Sequence, residues 1–323
     1  MKNLKGVGLS FLLLCCFPIF SQNIIHSYQP QKEESLKVGK GEDDVMPYIQ
    51  KGYTLMLPAK KPVQGVLIFL EGSEFDKKNR SAKLMYSQAS EQSFAVLSVS
   101  TEIPLDFYFK EDSLESTHQI IQDVFSKYNL PNNNIFFLGA SLVGHRGMQY
   151  IKFIKESDLE FQLNIQGIVL CNFTLDWTRK WHQHEREIRI NKNDLGEATF
   201  INYMLETNFG TPETSPDNYH NLSPYSYYDQ KNRNINLYSS YAILAIIEPD
   251  IEYRLSKYKT LYENNSTDIV GFIAEQRLAG NQNTELIILQ PEDNTSQHKS
   301  SQATWDNLDK DEVMKWILKE CEH

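Results

Sequence analysis

Six short, continuous apolar runs constrain this chain more than any other feature. They are 65–70 (Gly-Val-Leu-Ile-Phe-Leu), 94–99, 135–138, 165–171, 241–247 and 285–289. Runs of this length without polar alternation suit strands buried on both faces of a sheet. Helix-patterned stretches separate most of them, at 80–91, 113–128, Leu142 to about Ile154, 267–279 (closed by Gly280) and 309–320. In the second of these, Ser113 reads as a cap, and Leu114, His118, Ile121, Val124, Phe125 and Tyr128 share one face. Strands alternating with helices predict an α/β fold, a mostly parallel central sheet with helices on both faces. Tyr53 to Leu57 alternates and ends at Pro58, which adds a strand. Residues 22–46 are polar and are expected to be loosely ordered.

The chain is long enough to bury such a sheet. It has 323 residues, 41% of them hydrophobic, which excludes whole-chain disorder. Its formal net charge is −10, and nucleic-acid binding depends on clustered Lys and Arg, so nucleic acid is not an expected partner.

The first 21 residues stand apart. Lys2 and Lys5 precede an apolar run from Val7 to Phe17, and Pro18-Ile19-Phe20-Ser21 follows. A basic start, a short apolar stretch and a small residue describe a secretory signal peptide. Cleavage is expected after Ser21, which leaves 22–323 as the mature domain. The apolar run is short of the ~20 residues of a membrane span. A lipoprotein reading would use Cys15 or Cys16, but Leu14 or Cys15 precedes them where a small residue is needed. The expected location is therefore periplasmic or secreted, with no membrane span after cleavage.

Two cysteines remain in the mature chain, Cys171 and Cys321, and are read as free thiols. His182 and His184 form a weak pair, better explained as solvated side chains than as zinc ligands. No metal or other cofactor is expected.

Residues 172–237 break the alternation. The stretch is too long for a plain crossover, and a structureless loop of that length is improbable in a compact domain. It is expected to fold as a helical cap insertion, with aromatics such as Trp177, Trp181, Tyr219 and Tyr225 packing it onto the sheet.

The residue types that carry chemistry fall after strands. Gly139-Ala140-Ser141 follows an apolar strand and precedes a helix, the setting of a nucleophile elbow. Here the sequence resembles the α/β-hydrolase family, whose elbow is Gly-x-Ser-x-Gly. Val143 stands where the second glycine is usual, and Gly144 comes one residue later. The resemblance covers most of 50–320 and implies a Ser, acid, His order along the chain. Ser141 is then the nucleophile. Asp250, after the strand at 241–247, matches the acid, with Glu248 second and Asp176 a third option. His298, on the loop after the last strand, matches the base. The backbone of Leu142 would supply one oxyanion donor. The other would come from Ser73, or Glu74, in Leu70-Glu71-Gly72-Ser73, where Glu71 replaces the family's His.

The resemblance implies an exported serine hydrolase acting on a carboxylic ester of a small molecule. A peptidase of the prolyl-oligopeptidase type is the second reading, and Asn221-Leu222-Ser223-Pro224 resembles part of its catalytic domain. A non-catalytic binding protein is the third, favoured by Val143 and Glu71.

Overall fold

The computed structural model describes residues 23–59, 62–71, 80–102, 111–190, 196–290 and 301–322. The expected signal segment 1–21, the donors at Ser73 and Glu74, and His298 lie outside them.

An eight-stranded sheet runs through the molecule in the order β1-β4-β6-β5-β7-β8-β9-β10. The strands are β1 (Ile24–Tyr28), β4 (Gly52–Met56), β5 (Gly65–Phe69), β6 (Phe94–Ser100), β7 (Ile135–Ala140), β8 (Ile165–Cys171), β9 (Ala242–Ile247) and β10 (Thr284–Ile288). From β6 to β10 every pairing is parallel, while β4 runs antiparallel to both β6 and β1. The parallel strands β5 to β9 are the apolar runs of the sequence, and nearly every residue in them is buried. A small hairpin, β2 (Ser35–Lys37) with β3 (Val45–Pro47), lies outside this sheet.

Helices cover both faces. They are α1 (Arg80–Glu91), α2 (Glu111–Tyr128), α3 (Leu142–Glu156), α8 (Asn265–Leu278), α9 (Ser301–Asn307) and α10 (Lys310–Cys321). One core gathers α2, α3 and α8 with the side chains of one sheet face, such as Val66, Ile68, Leu97, Phe137 and Ile243. The other gathers α1, α9 and α10 with Leu67, Phe69, Val96, Phe136 and Leu244. Alternate residues of one strand enter opposite cores, as the two-residue period of a strand requires.

Two expectations are corrected. Residues 24–28 form an edge strand and 35–47 contain a hairpin, so this stretch is not loosely ordered. An edge strand needs only one partner and tolerates His26 and Ser27 facing water, so it leaves no apolar run. Ser113 lies inside the first turn of α2, two residues after its start at Glu111, and is not its cap.

The insertion between β8 and β9 is helical: α4 (Trp177–Ile190), α5 (Glu197–Phe209) and α6 (Pro216–Leu222), with a short 3-10 turn at Ile235–Leu237. Its helices share a third core of Trp177, Trp181, Ile201, Leu205, Tyr219 and Leu222, with Leu142 packed against it. Cys171 and Cys321 are both free thiols. Among the described residues no helix is long and apolar enough to cross a membrane.

Candidate active site

Parallel strands all end on one edge of the sheet, and ligands of open α/β sheets bind there. At this edge β7 turns sharply into α3 through Ser141. Its φ is 54° and ψ is −134°, a left-handed conformation that is rare for a residue with a Cβ. Holding it costs on the order of 1–3 kcal/mol and needs support from the surrounding fold. That support comes from β8, whose Cys171 carbonyl accepts the Ser141 N–H at 3.3 Å. It comes also from close backbone contact inside the turn. A Cβ on Gly139 would lie 2.4 Å from the Gly144 nitrogen. One on Gly144 would meet the Phe173 ring at 2.3 Å. Gly144 therefore supplies the close approach expected of the second elbow glycine. Val143 is half-buried and packs on the core around α1, α9 and α10, which accounts for its side chain.

The Ser141 hydroxyl makes no capping bond to α3 and so is not consumed by the helix it begins. Leu142, the first residue of α3, has one of the N–H groups left without a partner inside the helix. The helix N-terminus adds a partial positive charge at the same place.

One turn along α3, His145 is fully buried. Its Nε2 accepts the indole N–H of Trp177 at 3.0 Å, with the rings edge to face at 4.9 Å. Burial, then the charge of Arg146, press its pKa down to about 3, so the imidazole is neutral. Nothing in the sequence marks His145 except its place four residues after Ser141.

Glu71, in the position of the family's His, has a different task. Its carboxylate accepts the N–H groups of Ser81 (2.8 Å) and Ala82 (3.2 Å) in the first turn of α1. Burial raises its pKa to about 7, although those bonds and Arg146 oppose the rise. The Arg146 guanidinium donates to the carbonyls of Glu71 (2.7 Å) and Leu70 (3.3 Å). This ties α3 to the end of β5, where the 72–74 segment begins.

The three candidate acids differ sharply. Asp176 is fully buried, and it accepts N–H groups from Arg179 (3.1 Å) and Tyr227 (2.9 Å). Burial, then the neighbouring Asp268, raise its pKa to about 6. Asp268 itself is buried against Arg179, which also reaches the Tyr262 carbonyl. Asp176 is thus the capping group of α4 and part of a structural network. Asp250 caps α7 (Ile251–Ser256), accepting the Tyr253 N–H at 3.0 Å. Glu248 directly follows β9, is 5% exposed, and accepts the Thr304 hydroxyl at 3.0 Å. Thr304 also receives the Asn172 side-chain amide at 3.3 Å.

Thr304 belongs to α9. Helix α9 is firmly seated: Trp305 packs edge to face on Phe69 at 5.9 Å, and Asp306 pairs with Arg80 at 2.7 Å. His298 comes six residues before Thr304 in sequence. Among the described residues, Glu248 is the one of the three acids that bonds to α9.

Above Ser141 lies a cavity of about 420 Å³. Ser141, Leu142, His145 and Thr174 form its floor, and α4 and α5 its walls through Trp177, Lys180, His184 and Ile201. Residues of α7 and the segment after it, including Arg254 and Lys259, close the remaining side. His182 and His184 do not come together. His182 is half-buried near the surface, with Glu185 and Glu213 close by. His184 is buried on Asn202 at 2.8 Å.

No family model matches the sequence, and no curated protein matches it. Solved structures do resemble it in fold. Carboxyl esterase 2 of the fungus Tuber melanosporum matches with a TM-score of 0.51 and 12% identity, over 94% of this chain and 88% of the other. The fluorophosphonate-binding serine hydrolase F of Staphylococcus aureus matches at 0.50 and 14%, over 91% and 99%. The acylaminoacyl peptidase of Pyrococcus horikoshii matches at 0.50 and 11%, over 90% of this chain. This chain spans only 42% of that peptidase. The strand order, the crossover helices and these likenesses together show that the chain has the α/β-hydrolase fold.

Proposed function

We propose that the protein is a serine hydrolase that cleaves a carboxylic ester through an acyl-enzyme. The observation that carries this reading is the strained Ser141, held at a strand-to-helix turn on the floor of a cavity with its hydroxyl unspent. In the proposed reaction His298 takes the hydroxyl proton as Ser141 Oγ attacks the substrate carbonyl. The Leu142 N–H and a second donor from Ser73 hold the oxyanion. The tetrahedral species collapses, and the alcohol leaves with the proton that His298 returns. Water then attacks the acyl-serine by the same path, releasing the acid.

The acid that orients His298 is proposed to be Glu248 in preference to Asp250. The bond from Thr304, six residues after His298 in sequence, supports Glu248, whereas the Asp250 carboxylate serves the N-terminus of α7. The departures that favoured a binding protein have structural roles of their own: Gly144 relieves the turn, and Glu71 caps α1. The Asn221 to Pro224 segment is framework. Its carbonyls accept Lys152 and Gln149, and Ser223 accepts the Trp177 N–H. This chain spans 88% of the esterase and 99% of the serine hydrolase it resembles in fold, but 42% of the peptidase, which supports the ester reading.

A fluorophosphonate probe tests the reading. Labelling of the native chain that disappears in Ser141→Ala is the expected result. Failure of well-folded protein to label at neutral pH would refute it. Export, with cleavage after Ser21, is part of the same proposal, and N-terminal sequencing of protein from the producing cells checks it.

A further inference from the structure

The cavity above Ser141 carries an unusual charge arrangement for an acidic protein. Four cations line it, Lys180, Arg254, Lys257 and Lys259, against three carboxylates, Glu187, Glu197 and Glu263. Two of those carboxylates are already taken. Glu187 holds Lys259 at 2.6 Å and Gln183 at 2.7 Å. Glu263 holds Arg186 from outside the cavity at 2.5 Å. Lys180, Arg254 and Lys257 are left facing Glu197, an exposed residue in the first turn of α5.

Lys180 and Arg254 are the cations that matter, because both are half-buried while Lys257 is exposed. Neither side chain makes a hydrogen bond or ion pair with a described residue, and the Arg254 Nε is buried without a partner among them. Burial lowers the pKa of both, that of Lys180 to about 8. Two desolvated cations sharing one cavity without a matched counterion are unfavourable until an anion joins them. The placement of Lys180 relative to the serine is fixed by α4, while Arg254 is presented by α7. Trp177 packs on His145 at the cavity floor, and Lys180 stands one turn further, about 5 Å along the helix.

We propose that this cavity binds the anionic end of the substrate, a carboxylate held by the Lys180 ammonium and the Arg254 guanidinium while the ester lies at Ser141. A guanidinium fork matches the two oxygens of a carboxylate, and an ammonium adds a point charge. The substrate class is then an ester bearing a free carboxylate on the half that enters the cavity. This rests on the serine-hydrolase reading above.

The test compares esters that differ only in that charge. One pair varies the acyl half: 4-nitrophenyl hemiglutarate and its methyl ester. The other varies the alcohol half: 4-carboxyphenyl acetate and its methyl ester. After correction for spontaneous hydrolysis, the anionic member of one pair is expected to show a kcat/KM about tenfold or more above its neutral partner, chiefly through KM. The ratio should fall toward one in Lys180→Met and in Arg254→Gln, and invert in Lys180→Glu. Either neutralised variant carries the test if the other fails to fold. A ratio at or below one in both pairs, or a ratio unchanged in the variants, overturns the proposal. Calorimetry on Ser141→Ala separates the two readings. Monomethyl glutarate should bind there while dimethyl glutarate does not, whether or not the native chain cleaves esters. Equal binding of the two would overturn the anion site alone, and absence of fluorophosphonate labelling would overturn the hydrolase alone.

Discussion

The Glu248 carboxylate and the Thr304 hydroxyl are joined at 3.0 Å, across the gap between the end of β9 and the start of the C-terminal helices. The bond fixes a buried acid against α9, which begins three residues after His298 in sequence. Its consequence is a ranking of acids. Glu248→Gln should lower kcat by about 10³-fold or more, because removing the orienting acid of a triad leaves the base in the wrong tautomer. Asp250→Asn should change kcat little and cost about 1 kcal/mol or less of stability as a weakened helix cap. Steady-state kinetics on an aryl ester with both variants decides it; a large loss confined to Asp250→Asn would reverse the assignment.

Ser141 stores strain that a glycine would not. Ser141→Gly should abolish turnover and raise stability by about 1 kcal/mol, since glycine occupies this φ at little cost. Denaturant midpoints of the two proteins measure it. An equal or lower midpoint for the glycine variant would mean that the native turn is not strained.

Glu71 should make stability pH-dependent. Its folded pKa of about 7 lies above the ordinary 4.5, so the folded state holds a proton more tightly than the unfolded one. The stabilisation is fully present below pH 4.5 and is lost as pH rises through 7. The loss is on the order of 3 kcal/mol over that window. Glu71→Gln keeps the shape without the titration, so its stability relative to native should improve by that amount between pH 4.5 and 8. Parallel stability curves for the two proteins would contradict this.

The buried Asp268 holds Arg179 inside the contact between the cap and α8. Both side chains are fully buried, and Asp268 also accepts the N–H groups of Leu175 and Asp176. Asp268→Ala should destabilise the protein by about 3–5 kcal/mol, because it strands a buried guanidinium. Replacing both partners, as Asp268→Leu with Arg179→Met, should recover much of that loss. Thermal or chemical unfolding of the single and double variants tests both statements.

How far the sequence reached follows from how local each signal is. The buried parallel strands were legible because both of their faces lie in a core, and the α1 limits, 80–91, were legible from periodicity. The elbow was legible because strand, small residues, serine and helix are neighbours in the chain. The edge strand β1 escaped because half of it faces water. The choice between Glu248 and Asp250 depends on a residue 56 positions away, Thr304, that no local pattern names. Lys180 lies in a charged stretch, Thr178 to Arg189, where no local pattern marks it out. Only the packing of α5 and α7 over α4 turns that stretch into the wall of a cavity.

Leu142 belongs to two structures at once. Its backbone begins the helix behind Ser141, and its side chain is packed against the aromatic core of the insertion. Trp177 repeats the arrangement from above, reaching down to His145. The insertion is therefore no detachable cover: lifting it would pull on the first residue of α3, beside Ser141. If Ser141 reacts as proposed, a seated cap and an intact turn at Ser141 are mechanically one condition, and substitutions deep in the cap core are expected to show as losses of rate.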